Sequence, residues 1–222
     1  SSYARFHEVM ARESTQTTVN ALEPHILPLV PGLKEKLEAG IDVLDVGCGS
    51  GRAMIQLAKR FSNSRFAGYD FSAEGIDRAN EEACLLGIDN VRFEIRDAAA
   101  IGETEAYDLI TSFDAIHDQA KPAAMLAGIG RALRPDGVYL VQDISGSSYL
   151  ENNLDHPAAP YMYTISLTHC MTVSLACGGE GLGAMWGEEK CVEMLNEAGF
   201  PNVSLHRLDH DFINTYYVAT KA

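Results

Sequence analysis

Nine residues constrain this chain more than any others: Val43-Leu44-Asp45-Val46-Gly47-Cys48-Gly49-Ser50-Gly51. An apolar run feeds a tight glycine turn, and a helical pattern from Arg52 to Arg60 follows at once. Such a strand–turn–helix unit brings a ligand close to backbone N–H groups. A dinucleotide fingerprint, G-x-G-x-x-G, would need glycine at position 52, where Arg52 stands. The chain instead reads G-x-G-x-G through Gly47, Gly49 and Gly51, with Asp45 two residues before the first glycine. A carboxylate there serves a pyrophosphate poorly and suits a cationic or amine-bearing ligand.

From Gly40 onward the pattern alternates between strands and helices. Ile41 to Val46, Arg65 to Tyr69, Val91 to Ile95, Tyr107 to Phe113 and Val138 to Val141 read as strands. Between them, Arg52 to Arg60, the stretch capped by Ser72 and closed by Gly87, and the stretch opened by Pro122 read as helices. Arg134-Pro135-Asp136-Gly137 reads as a turn. This rhythm predicts an α/β fold whose mostly parallel sheet is covered on both faces. The rhythm breaks at about 145–186, a long insertion read as a polar start, a helix from Tyr161 to about Ala176 and a glycine-rich tail. Insertions of this length are often lids. A helix from Glu188 to Ala198 and two strands, near Val203 to Leu208 and Thr215 to Thr220, finish the chain and are expected to form a hairpin. Residues 1–40 are expected to be an N-terminal helical segment, with Phe6, Val9 and Met10 on one face and breaks at Pro24, Pro28 and Pro31. The main domain is expected over 41–222. Ser1 opens the chain in place of Met, and processing or truncation at that end is expected.

Composition narrows the function. Lys and Arg total 17 against 31 Asp and Glu, a net charge of -14, which disfavours a broad phosphate-tracking surface. No nucleic-acid partner is expected, and no apolar run is long enough for a membrane partner. The five cysteines, Cys48, Cys84, Cys170, Cys177 and Cys191, include no C-x-x-C pair. They predict a reduced, cytoplasmic protein. His206, Asp209 and His210 bracket a strand end and are expected to be solvated loop residues, so no metal site is expected.

The opening nine residues resemble the first motif of the class I S-adenosylmethionine-dependent methyltransferases. The resemblance covers about residues 40–143 and extends to the last two strands. It implies a Rossmann-like seven-stranded sheet with its last strand antiparallel beside the fifth. It also implies S-adenosyl-L-methionine as cofactor, S-adenosyl-L-homocysteine as product and a small-molecule methyl acceptor. Asp45, Gly47, Cys48, Gly49 and Gly51 would lie under the methionine and ribose, and Asp70 would accept from the ribose hydroxyls. Phe71 would pack on the adenine, and Asp97 with Ala98 would meet the adenine amino group. Phe113 and Asp114 would line the cofactor at the end of the fourth strand. Ser112 to Gln119, Ala132 to Gly137 and Gln142-Asp143-Ile144 resemble a narrower group, the mycobacterial-type small-molecule methyltransferases that carry an N-terminal winged-helix domain. That domain is absent from these 222 residues, which leaves the oligomeric state open.

Two histidines are candidate catalytic groups. His117, beside the fourth strand, could take a proton from a hydroxyl, thiol or amine acceptor, or could equally be held by the loop. His169 lies on a stripe with Met162, Ile165, Ser166, Cys170 and Val173, where a polar imidazole needs a partner. Tyr161, Tyr163 and Trp186 could add aromatic walls, favouring an apolar or aromatic acceptor. Two other classes stay open: a non-catalytic adenosylmethionine sensor or interaction module, and a nicotinamide-dependent oxidoreductase, against which Asp45 and Arg52 both count.

Overall fold

The computed structural model describes residues 17–221. The apolar face expected from Phe6, Val9 and Met10 lies outside the described residues. Seven strands form: β1 (Asp42–Val46), β2 (Arg65–Asp70), β3 (Val91–Ile95), β4 (Tyr107–Phe113), β5 (Leu133–Ile144), β6 (Asn202–Leu208) and β7 (Asp211–Thr220). Their order in the sheet is β3-β2-β1-β4-β5-β7-β6. β2 runs parallel to β1 and β3, and β4 parallel to β5, while β7 lies antiparallel between β5 and β6. The sheet is mostly parallel, with helices on both faces, as expected. Strands covered on both faces must be apolar on both, which is why Val43, Leu44 and Val46 read as a run rather than an alternation.

The chain divides after Ile95 into two compact units. In the first, short 3₁₀ and π turns over Val19–Ala21, Leu22–Ile26 and Leu27–Leu29 carry the chain past Pro24 and Pro28. The expected breaks are therefore irregular helical turns. They succeed because Pro28 falls in the first turn of its segment, where no amide donor is needed. Helix α1 (Leu33–Ala39) ends at Gly40, and α2 (Arg52–Arg60) buries Met54, Ile55 and Leu57. Helix α3 (Ala73–Leu86) opens where the Ser72 hydroxyl accepts from the Gly75 N–H at 3.2 Å and closes at left-handed Gly87. Leu44, Phe66 and Tyr69 are fully buried in this unit, and burial of this kind stabilises by about 1.5–3 kcal/mol per large side chain.

In the second unit α4 (Pro122–Ala132) starts on its proline and buries Met125, Leu126 and Ile129. The expected turn at Arg134-Pro135-Asp136-Gly137 lies inside β5, where it bulges out: Tyr107 pairs with Leu133, and Leu109 already pairs with Val138. The insertion is helical, with a short turn at Leu150–Asn153, then α5 (Ala159–Ile165), a π turn (Ser166–Cys170) and α6 (Met171–Ala176). Helix α7 (Glu188–Glu197) leads to the β6–β7 hairpin. Among the described residues, no helix is long and apolar enough to cross a membrane.

Candidate functional site

In the first unit the functional geometry begins with three left-handed glycines, Gly47, Gly49 and Gly51, at φ of 82°, 54° and 71°. L side chains resist that region, so this sequence of glycines is what allows the turn. The Gly47 and Cys48 N–H groups both donate to the Tyr69 carbonyl, at 2.8 and 3.1 Å, hooking the end of β1 onto β2. Asp70 completes the turn. One carboxylate oxygen accepts from the Gly49 N–H at 2.8 Å and the other from the Ser72 N–H at 2.8 Å. Each carboxylate oxygen has a second lone pair, so Asp70 retains capacity for two outside hydroxyls.

The turn also fits a ligand sterically. A Cβ on Gly49 would meet nothing within 4 Å, so its backbone faces open space. A Cβ on Gly51 would stand 2.5 Å from the Phe93 ring, so that glycine is a packing requirement. Asp45 is buried on β1 opposite Gly68. The half-buried Cys48 thiol is pushed up by burial and then by the Asp45 and Asp70 charges, which keeps it protonated. Phe71 is exposed. Gly68 and Gly75 also shape the turn, and sequence reasoning missed them. A Cβ on Gly68 would reach 2.8 Å from the Cys48 sulfur, and one on Gly75 would reach 2.8 Å from the Gly49 carbonyl oxygen. The available signal was an isolated glycine within a strand or helix pattern.

In the second unit Asp97 caps the short helical turn Ala98–Ala100, accepting from the Ala99 N–H at 2.9 Å, and Ala98 is buried. Phe113 ends β4 half-buried. Asp114 follows with φ +49°, a conformation costing on the order of 1–3 kcal/mol in a non-glycine residue. Gln142 holds it: the Asp114 N–H donates to the Gln142 carbonyl at 2.9 Å, and the Gln142 amide donates to Asp114 Oδ2 at 3.2 Å. Asp114 Oδ1 is buried without a hydrogen-bond partner. Burial first, and the Asp143 charge second, push the Asp114 carboxyl well above the usual carboxylate range.

His117 forms the polar centre of this unit and is buried. Its Nδ1 lies 2.7 Å from Asp143 Oδ1. That same oxygen accepts from the Trp186 indole N–H at 3.1 Å and from the Ile144 N–H at 2.8 Å. On the other side of the ring, Nε2 lies 3.4 Å from Asp118 Oδ1. The ligand atoms of His117, Asp118 and Cys170 lie within 4.8 Å of one another. Burial alone would lower the His117 pKa, but the Asp143 and Asp118 charges overcome it and raise it well above the ordinary value. Burial is also the main reason the Cys170 thiol is pushed up.

The structure therefore places one of the two candidate histidines in a built polar cluster. His169 sits half-buried on the π turn next to Cys170 and is not a member of it. Asp118, Asp143 and Cys170 are partners of His117, and Trp186 a partner of Asp143, that sequence reasoning did not assign. Asp143 was legible as an acidic residue at a strand end, but the residues from 170 and 186 are joined to it only by tertiary folding. Tyr161 is exposed, and the Tyr163 hydroxyl accepts from Asn153 at 3.1 Å. His206 bonds to Ser204 at 2.9 Å on the exposed hairpin, and the described residues show no metal-binding group there.

A family model described as a methyltransferase domain matches residues 37–199. The trans-aconitate 2-methyltransferase of an Acidovorax strain is 29% identical over 153 residues, covering 69% of this chain and 55% of that protein. The 27-O-demethylrifamycin SV methyltransferase of Amycolatopsis mediterranei is 30% identical over 103 residues, covering 46% of this chain and 38% of that protein. The chain thus spans about half the length of these relatives, or less. In fold it is similar to an O-methyltransferase family protein from Burkholderia thailandensis, at a TM-score of 0.64 and 15% identity, covering 97% of this chain and 61% of that one. With the family model covering most of the chain, including the glycine turn, the chain belongs to the methyltransferase-domain family, in the class I S-adenosylmethionine-dependent superfamily.

Proposed function

We propose that this chain transfers a methyl group from S-adenosylmethionine to a small organic acceptor, apolar or aromatic in character. The observation that carries the reading is the glycine turn locked by Asp70. Gly49 leaves backbone open to a ligand while its N–H is already held by the carboxylate. That arrangement presents a net acceptor to the ligand, which suits ribose hydroxyls and a cationic head group better than a pyrophosphate. Adenosylmethionine, when bound, supplies a methyl group on a positively charged sulfur. The chain's own part is to hold and orient. Asp70 grips the hydroxyls, the buried Asp45 favours positive charge near the turn, and positioning supplies much of the acceleration. On the acceptor side we assign His117. Asp143 fixes the ring through Nδ1, leaving Nε2 as the atom that meets an outside partner. The narrower kinship with winged-helix-bearing mycobacterial-type enzymes rests on Ser112 to Gln119 and Gln142-Asp143-Ile144.

Calorimetric titration with S-adenosylhomocysteine tests the reading. The unmodified chain binds, and Asp70→Ala weakens binding by about 100-fold, since hydrogen bonds to a charged group contribute about 1.5–3 kcal/mol each. No binding by the unmodified chain overturns the proposal. NADH, titrated in parallel by fluorescence, is expected to show none. A chain that binds the homocysteine product and methylates no member of an acceptor panel is instead a sensor.

A further inference from the structure

The methyl-transfer reading uses His117 and leaves its neighbours Asp118 and Cys170 without a role. Three different ligand types, an imidazole, a carboxylate and a thiol, converge from the loop after β4 and from the π turn of the insertion. Among the described residues this is the one group of three His, Cys, Asp or Glu side chains close enough to share an ion. We propose that His117, Asp118 and Cys170 form a binding site for a divalent metal ion of borderline softness, with zinc as the favoured ion.

Four observations carry it. First, the spacing of the nitrogen and oxygen ligands fits. Two ligands bound about 2.0 Å from a tetrahedral ion stand about 3.3 Å apart, and His117 Nε2 stands 3.4 Å from Asp118 Oδ1. Second, Asp118 Oδ1 is buried, makes no hydrogen bond and meets the imidazole only as a charge pair, in the place an ion would take. Third, the imidazole is prepared from behind. Metal-bound histidines hold their other nitrogen on a carboxylate or carbonyl, which fixes tautomer and ring plane. Asp143, fully buried and itself fixed by the Trp186 indole and the Ile144 N–H, does this at 2.7 Å. Fourth, the neighbourhood is rich in negative charge. Carboxylates flank the imidazole on both sides, Asp143 at Nδ1 and Asp118 at Nε2.

The donor set sets the ion. Nitrogen, sulfur and oxygen ligands together suit zinc, whereas magnesium and calcium take oxygen. On binding, Cys170 gives its thiol proton to solvent and becomes a thiolate ligand, and His117 gives up its Nε2 proton while keeping Nδ1–H on Asp143. Three protein ligands leave a fourth position open, as in catalytic rather than structural zinc sites. That position would polarise an acceptor oxygen or sulfur. This last use rests on the methyl-transfer reading, and the binding of the ion does not.

The test uses the 222-residue chain in a background where the exposed Cys84 and Cys177 are serine, removing adventitious thiols. Cobalt(II) alone is titrated and followed by absorption, and zinc(II) is titrated in competition. The expected result is one ion per chain, a thiolate-to-cobalt charge-transfer band, d–d bands of four-coordinate intensity, and displacement by zinc. Cys170→Ser abolishes the charge-transfer band, and Asp118→Asn, whose side chain is partly exposed and isosteric, weakens binding at least about ten-fold. Asp143→Asn keeps the band and loses affinity by about 10- to 100-fold. Homocysteine-product titration and thermal melts report on fold separately, so loss of the cofactor reading and loss of the metal reading are distinguishable. Absence of stoichiometric cobalt binding overturns the proposal, as does a charge-transfer band that survives Cys170→Ser or binding unaffected by Asp118→Asn in the folded chain.

Discussion

Asp70 is fastened at both oxygens, to the Gly49 and Ser72 backbone amides, so with the proposed ribose role its removal is expected to touch folding and ligand binding together. Comparison of Asp70→Asn with Asp70→Ala separates the two. The amide keeps one acceptor oxygen, so the asparagine variant is expected to melt closer to the unmodified chain while still losing cofactor affinity. Gly51 makes a different prediction. Its left-handed φ costs an L side chain about 1–2 kcal/mol, and a methyl aimed at the Phe93 ring adds about 1–3 kcal/mol of overpacking. Gly51→Ala should lower the melting temperature by about 10 °C, measurable by differential scanning fluorimetry. A neutral result would mean that the turn relaxes away from Phe93 and Ala79 and sheds its left-handed φ. At this scale the sequence was informative wherever a residue type is forced by the backbone, as at Gly47, Gly49, Gly51 and the Ser72 cap. It was uninformative wherever a role is conferred by distant partners. At Asp97 the structure adds a local cap on the Ala99 N–H to the adenine contact that the resemblance implies. Asp143 carried no sign that Trp186 and His117 would share one of its oxygens.

The insertion shows at the scale of elements why the stripe on its helix was only partly legible. After Ala159, the buried members are Met162, Ser166, Cys170 and Ser174, which from Met162 on fall one every four residues. On an α-helix four residues overshoot a turn by about 40°, so such a column would drift by about 120° over these three steps. The π turn at Ser166–Cys170 carries more residues per turn and takes part of the drift back. A strict α period instead selects Val173 and His169, which are half-buried. Nothing in the local sequence announces a π turn, which is set by what the helix must face. The link between the insertion's start and α7 gives a pH prediction. Burial raises the Glu189 pKa, but hydrogen bonds from the Ser148 N–H at 2.7 Å and the Ser147 hydroxyl at 2.7 Å outweigh it and hold the carboxyl below its ordinary 4.5. A depressed acid stabilises above its unfolded pKa, and that contribution is lost as pH falls through the lower folded value. The melting-temperature difference between the unmodified chain and Glu189→Gln should therefore be largest near neutrality and shrink below about pH 4.5. A gap that widens on acidification would contradict the assignment.

For the whole molecule, a net charge of -14 means that self-repulsion opposes the compact state. Raising sodium chloride from about 10 mM to about 200 mM should raise the melting temperature, because the Debye length shortens across that range. A fall would show that attractive pairs such as Arg65–Asp42 dominate. The strand order, including antiparallel β7 between β5 and β6, follows what the family resemblance implied. Periodicity alone gave the parallel rhythm and the final hairpin but could not say where the hairpin docks. The insertion's attachments have a mechanical consequence. Its far end is stitched to the loop after β4: the Ser174 hydroxyl donates to the Gln119 carbonyl, the Glu180 N–H to the Ala120 carbonyl and the Gly183 N–H to the His117 carbonyl. Its near end is stitched to α7, where the Ser147 hydroxyl and the Ser148 N–H donate to the Glu189 carboxylate. A segment sewn down along two seams cannot swing as a flap from 145 and 186. Any doorway it makes must be a pleat between the seams, in the stretch from Leu154 to Leu167, whose Leu154, Tyr161 and Leu167 side chains already face solvent. Amide exchange should show that pleat fast and both seams slow.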